Sequence, residues 1–156
     1  MTRRLVLCDD GPVVPRGFTG GWARLEGTGV AKALLAGVGG FIGSTLRYVI
    51  GGLVQSAFPT STFPYGTMAV NVTGCFAIGC LSHLIEAHGA LGSGARTLVV
   101  VGILGGYTTF SAFGNETVNL LHGGQRLAAG VNIGGHMVLA LGAVWCGRIA
   151  AQLVWR

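Results

Sequence analysis

Three kinds of residue interrupt otherwise apolar runs of this sequence, and any chemistry has to come from them. Arg47 lies within the run from about Val30 to Phe58, and Asn71 within the run from about Gly66 to Ile85. A third run, from about Thr97 to Leu121, contains Gly102-Ile103-Leu104-Gly105-Gly106-Tyr107-Thr108-Thr109-Phe110-Ser111-Ala112-Phe113-Gly114-Asn115-Glu116. An arginine at the centre of a bilayer costs roughly 2.5–3.5 kcal/mol on insertion scales. Arg47 therefore either reaches an interface or attracts an anion into a wet vestibule. Asn71 is either an interhelical hydrogen-bond partner or a donor facing a pore. Two glycines followed by two threonines and a serine make a poor continuous helix. A break there frees backbone carbonyls, which lipid tolerates only where they line a cavity or hold a cation. Phe110 and Phe113 are three residues apart and share a helical face. They are an ordinary core pair, or, beside hydroxyls and Asn71, they offer positive ring edges to an anion.

The elements that must position these residues follow from composition. Of 156 residues, 51% are hydrophobic, only 10% are charged and 29 are glycine; mean hydropathy is +0.64. A soluble domain carries about 25% charged residues, so this chain cannot coat a water-facing surface. At roughly 20 residues per span the length accommodates four transmembrane segments and excludes a large extramembrane catalytic domain. The fourth run covers about Leu127 to Cys146 and is closed by Arg148. Runs of this length without period-two alternation predict helices, giving an all-α membrane protein. Residues 29–150 are expected to form its four-helix transmembrane domain, preceded by a basic tail (1–28) expected to be poorly ordered and followed by a short tail (151–156). Gly39/Gly43, Gly102/Gly106 and Gly130/Gly134 have the small-xxx-small spacing that lets membrane helices approach closely.

The net charge is +5, and four of the ten basic residues, Arg3, Arg4, Arg16 and Arg24, lie in the tail. Beside apolar spans such charge contacts anionic lipid or sets topology; without aromatic interleaving it does not predict nucleic-acid binding. With four spans, the tail, the loop from Ala87 to Arg96 and the C-terminus share one side. That side carries most basic residues, which places both termini in the cytoplasm. The first 28 residues have no apolar h-region and do not read as a signal peptide. Cys8, Cys75, Cys80 and Cys146 lack C-x-x-C spacing and read as small apolar residues. His83, Glu86 and His88 read as interfacial, and Ser111 has no histidine at a spacing that suggests a base. No enzyme is expected.

Taken in order, these motifs resemble the fluoride channels often called Fluc or CrcB, over nearly all of residues 36 to 148. Gly39-Gly40-Phe41-Ile42-Gly43 leads to Arg47-Tyr48. Pro64-Tyr65-Gly66-Thr67 leads to Asn71, Gly74 and Gly79. Gly105 to Phe113 is followed by Glu116. The resemblance implies a plasma-membrane channel that passively exports fluoride and relieves its toxicity. It further implies a dimer of antiparallel four-helix subunits, with a third helix broken at mid-membrane and dual or paired topology. The expected subunit contact is the glycine-rich face of the third helices. By position, the carbonyls of Gly105 and Thr108 would hold a structural sodium ion, and Asn71, Thr109, Phe110, Ser111, Phe113 and Arg47 would form the fluoride pathway. Two departures stand out: Ala112 where the family has threonine, and His136 near the place where the fourth helix commonly offers a serine. The partner is a second copy or a related chain.

Two other classes compete. A small dual-topology multidrug exporter wants a carboxylate in the first span, which here carries Arg47 instead. A non-transporting tetraspan assembly protein would be indifferent to conservative changes at Phe110 and Phe113. Fluoride efflux from liposomes separates all three.

Overall fold

A backbone in hydrocarbon must satisfy its own hydrogen bonds, and these apolar runs do so as helices. The computed structural model describes residues 28–155; the expected basic tail lies outside them, apart from Thr28, which opens the first helix. Helix α1 spans Thr28–Ser56 and α2 spans Tyr65–His88. Residues 93–107, here α3, are α-helical at Ser93–Arg96 and Gly105–Tyr107 and wound more widely, as a π-helix, over Thr97–Leu104. Helix α4 spans Phe110–His122 and α5 spans Arg126–Val154. The four candidate membrane spans are α1, α2, α3 with α4, and α5. The last helix outruns its sequence boundary: it continues past Cys146, so most of the expected tail at 151–156 is helix, with Ala151 fully buried.

Packing is extensive between α2 and α5 and between α1 and α3. Both contacts depend on missing side chains. A Cβ on Gly39 would strike the Leu98 carbonyl, and one on Gly43 the Ile103 carbonyl. A Cβ on Gly102 would meet the Gly39 Cα at 2.8 Å, and one on Gly106 the Gly40 carbonyl oxygen at 2.7 Å. Along the other contact, Gly79 abuts the Val144 carbonyl and Gly147 the Phe76 carbonyl. The small-residue reading therefore holds for Gly39/Gly43 and Gly102/Gly106. It fails for Gly130/Gly134, which have nothing within 4 Å. Gly102 and Gly106 are covered by α1 of the same chain. Of the α3 glycines, Gly105 alone remains exposed.

The connection between α1 and α2 is fixed by one side chain. Gln55 Nε2 donates to the carbonyls of Ser61 and Phe63, at 3.5 and 3.2 Å, and its Oε1 accepts from the Gly66 N–H at 3.1 Å. This sets the start of α2 and, with it, the height of Asn71.

Candidate functional site

The third span breaks within the expected stretch, at its two threonines and not at its glycines. Gly105 and Gly106 are helical; Thr108 (φ −80°, ψ 155°) and Thr109 (φ −150°, ψ 118°) are extended. Glycine can adopt helical angles, whereas here two β-branched residues take the strand-like backbone they favour. Neighbours fix that choice. The Thr109 N–H donates to Asn71 Oδ1 at 2.8 Å, and Asn71 Nδ2 donates to the Thr109 carbonyl at 3.0 Å. Thr109 Oγ1 then accepts from the Ala112 N–H at 3.2 Å, capping α4. Asn71, only 8% exposed, is thus a two-way clamp on the break, with one Nδ2 hydrogen left over.

These captures have a consequence at two carbonyls. A continuous α-helix would send the Thr109 N–H to the Gly105 carbonyl and the Ala112 N–H to the Thr108 carbonyl. Both donors are diverted to side chains. Gly105 and Thr108, the pair singled out for a cation, lose the helical donors that would otherwise occupy their carbonyls. Hard oxygens without a carboxylate suit a monovalent cation better than a divalent one.

Around the break lies a cavity of about 310 Å³, lined by Asn71, Thr108, Thr109, Phe110, Phe113 and His136 among others. The two phenylalanine rings touch, with centroids 5.4 Å apart and planes tilted by 50°. They differ sharply in environment: Phe113 is 7% exposed, while Phe110 is 77% exposed. Ser111 is exposed, with its hydroxyl 3.3 Å from that of Thr109. Five of the six expected pathway residues, Asn71, Thr109, Phe110, Ser111 and Phe113, thus lie in one region.

Arg47 is elsewhere. It lies on a second cavity of about 430 Å³ with Gln55, Thr67 and Glu116, and has no acidic partner among the described residues. Glu116 links the two regions. Its Oε1 accepts from the Thr67 hydroxyl at 2.6 Å, and it lies within electrostatic range of His136.

Sequence reasoning passed over a buried polar chain on α4 and α5. Asn132, fully buried, donates from Nδ2 to Thr117 Oγ1 at 2.9 Å, and Thr117 donates to the Phe113 carbonyl at 2.7 Å. His136 Nδ1 lies 3.0 Å from the Asn132 carbonyl. An asparagine in an apolar run was the signal at Asn71, and Asn132 carries the same one. Tyr107 was also missed; its hydroxyl sits 2.9 Å from that of Thr73 and ties the end of α3 to α2.

Comparison with known sequences adds an independent finding. The family described as "CrcB-like protein, Camphor Resistance (CrcB)" matches residues 34–148. A protein of Elusimicrobium minutum named "Fluoride-specific ion channel FluC" is 43% identical over 120 residues, covering 77% of this chain and 93% of that protein. One of Opitutus terrae with the same name is 45% identical over 120 residues, covering 76% and 90%. "Fluoride-specific ion channel FluC 3" of Methanosarcina barkeri is 38% identical over 118 residues, covering 76% and 88%.

Proposed function

This chain belongs to the CrcB-like family, and from that membership we propose that it is a fluoride-selective channel of the plasma membrane, passive rather than enzymatic. The observation that carries the reading is the cavity at the broken third span, where Phe110, Phe113, Asn71 and Thr109 converge, with the Ser111 hydroxyl beside that of Thr109. Fluoride is small and holds water strongly, so a path for it must replace hydration without trapping the ion. The hydroxyls of Thr109 and Ser111 and the spare Nδ2 hydrogen of Asn71 are donors of that kind. Ring edges of Phe110 and Phe113 add weak positive contacts. The N-terminus of α4 opens at the same place, and a helix N-terminus favours an anion. Ala112 contributes no hydroxyl, which leaves Thr109 and Ser111 as the donors of this stretch. Arg47, on its separate cavity, suits an attractor at the pathway entrance. A negative cell interior drives the anion outward.

A sodium ion held by the carbonyls of Gly105 and Thr108 fits the diverted hydrogen bonds at the break, and would supply fixed positive charge there. The functional unit is a dimer of antiparallel subunits, with this chain or a related one as partner. Support comes from the break being exposed on one chain: Gly105, Phe110 and Ser111 all face outward, and a second subunit covering them would join the two sets of carbonyls. Single-cysteine variants should cross-link the end of one subunit to the opposite end of its partner. Cross-links between like ends only would overturn the antiparallel arrangement.

The direct test is fluoride efflux from liposomes containing only this chain. Efflux well above empty vesicles is expected, and it should fall when sodium is replaced on both sides by a large organic cation. No efflux would sink the channel reading for the chain alone. Efflux indifferent to sodium would remove the ion and leave the channel.

A further inference from the structure

His136 is 5% exposed and sits on the wall of the cavity that holds Phe110 and Phe113, its ring centroid 4.5 Å from that of Phe113. Its Nδ1 faces the Asn132 carbonyl at 3.0 Å. A carbonyl oxygen only accepts, so Nδ1 carries the hydrogen, and a neutral ring then leaves Nε2 as a bare lone pair. That Nε2 is buried without a hydrogen-bond partner. A hydroxyl at such a place turns to donate at any pH. This imidazole presents positive charge only when Nε2 is protonated.

We propose that protonation of His136 raises fluoride conduction, by placing a positive charge on the wall of the Phe110–Phe113 cavity where the neutral ring places a lone pair. The proposal rests on the channel reading above. Helices α4 and α2 pack against α5 here, and α3 lines the same cavity. From α4 comes Glu116, whose second oxygen is also buried and unpartnered and which lies within electrostatic range of His136. From α2 comes Cys75, on the same cavity. From α3 come Val100, Leu104 and Gly105, none of which titrates. The sign follows: conduction gains as pH falls and His136 takes up a proton, and is lost as pH rises.

The test is efflux from proteoliposomes with equal pH on both sides, at about pH 7.5 and about pH 5.5, after subtracting leak from protein-free vesicles. Wild-type efflux should rise severalfold at the lower pH. His136→Ser and His136→Gln each keep a polar group whose charge does not change, and should conduct with a pH ratio within about twofold of unity. An acid-induced rise that survives in both variants belongs to Glu116 or Cys75 and overturns the proposal. Equal wild-type efflux at both pH values also overturns it, while leaving the channel intact. Wild-type efflux no greater than that of empty vesicles at either pH removes the channel reading itself.

Discussion

Phe110→Ile should purify as a folded membrane protein and conduct about a tenth or less of wild-type fluoride. Isoleucine keeps an apolar side chain of comparable size, so a purely structural phenylalanine would cost below about 1.5 kcal/mol. At Phe110 even that is an upper limit, because the ring is 77% exposed on one chain. What isoleucine lacks is a positive ring edge. Losing a contact of about 1.4 kcal/mol with a partly dehydrated anion corresponds to roughly tenfold. Phe113→Ile should lose conduction similarly but also some stability, since that ring is buried and packs on His136. Leu120→Ile is the matched control: it is buried at 5% on α4 but lies outside the cavity. Efflux and thermal unfolding in detergent, measured on all three, separate conduction from folding. If both phenylalanine variants fold and conduct like wild type, these rings do not line the pathway.

Gly43→Ala should be the most damaging single methyl in the molecule's first helix. The added Cβ points at the Ile103 carbonyl and lies 2.8 Å from the Tyr107 nitrogen. Both obstacles are backbone, so no rotamer change relieves the clash, and α1 must move away from α3. Overpacking typically costs about 1–3 kcal/mol, and a rigid backbone obstacle belongs at the upper end. The displaced segment ends at Tyr107, next to the break, so conduction should fall with stability. Gly37→Ala introduces the same methyl where nothing lies within 4 Å and should be neutral or slightly stabilising, as alanine in place of a helical glycine is. Equal recovery and unfolding temperature for the two variants would show that the α1–α3 contact yields easily.

The sequence by itself determined the class of molecule. Apolar runs too long for anything but spans, with few charges, leave only membrane helices, because hydrocarbon offers unpaired backbone no partner. It also singled out the polar residues worth examining, since a hydroxyl or amide in such a run needs a reason. Motif order around Gly39, Asn71 and Phe110 supplied the family. Where each group points was decided by tertiary structure. Small-residue spacing is identical in Gly102/Gly106 and Gly130/Gly134, yet only the first pair meets a neighbouring helix. Periodicity reports which residues share a face, and says nothing of what that face meets. Propensity marked the whole stretch from Gly105 to Ser111 as a poor helix, but the break falls at Thr108-Thr109 because Asn71, far away in the chain, takes the Thr109 N–H. Phe110 and Phe113 share a helical face, but only packing against α5 buries one and leaves the other open. His136 acquires its bare nitrogen in the same way: local sequence gives the ring, and the carbonyl of Asn132 one turn earlier fixes which nitrogen holds the hydrogen.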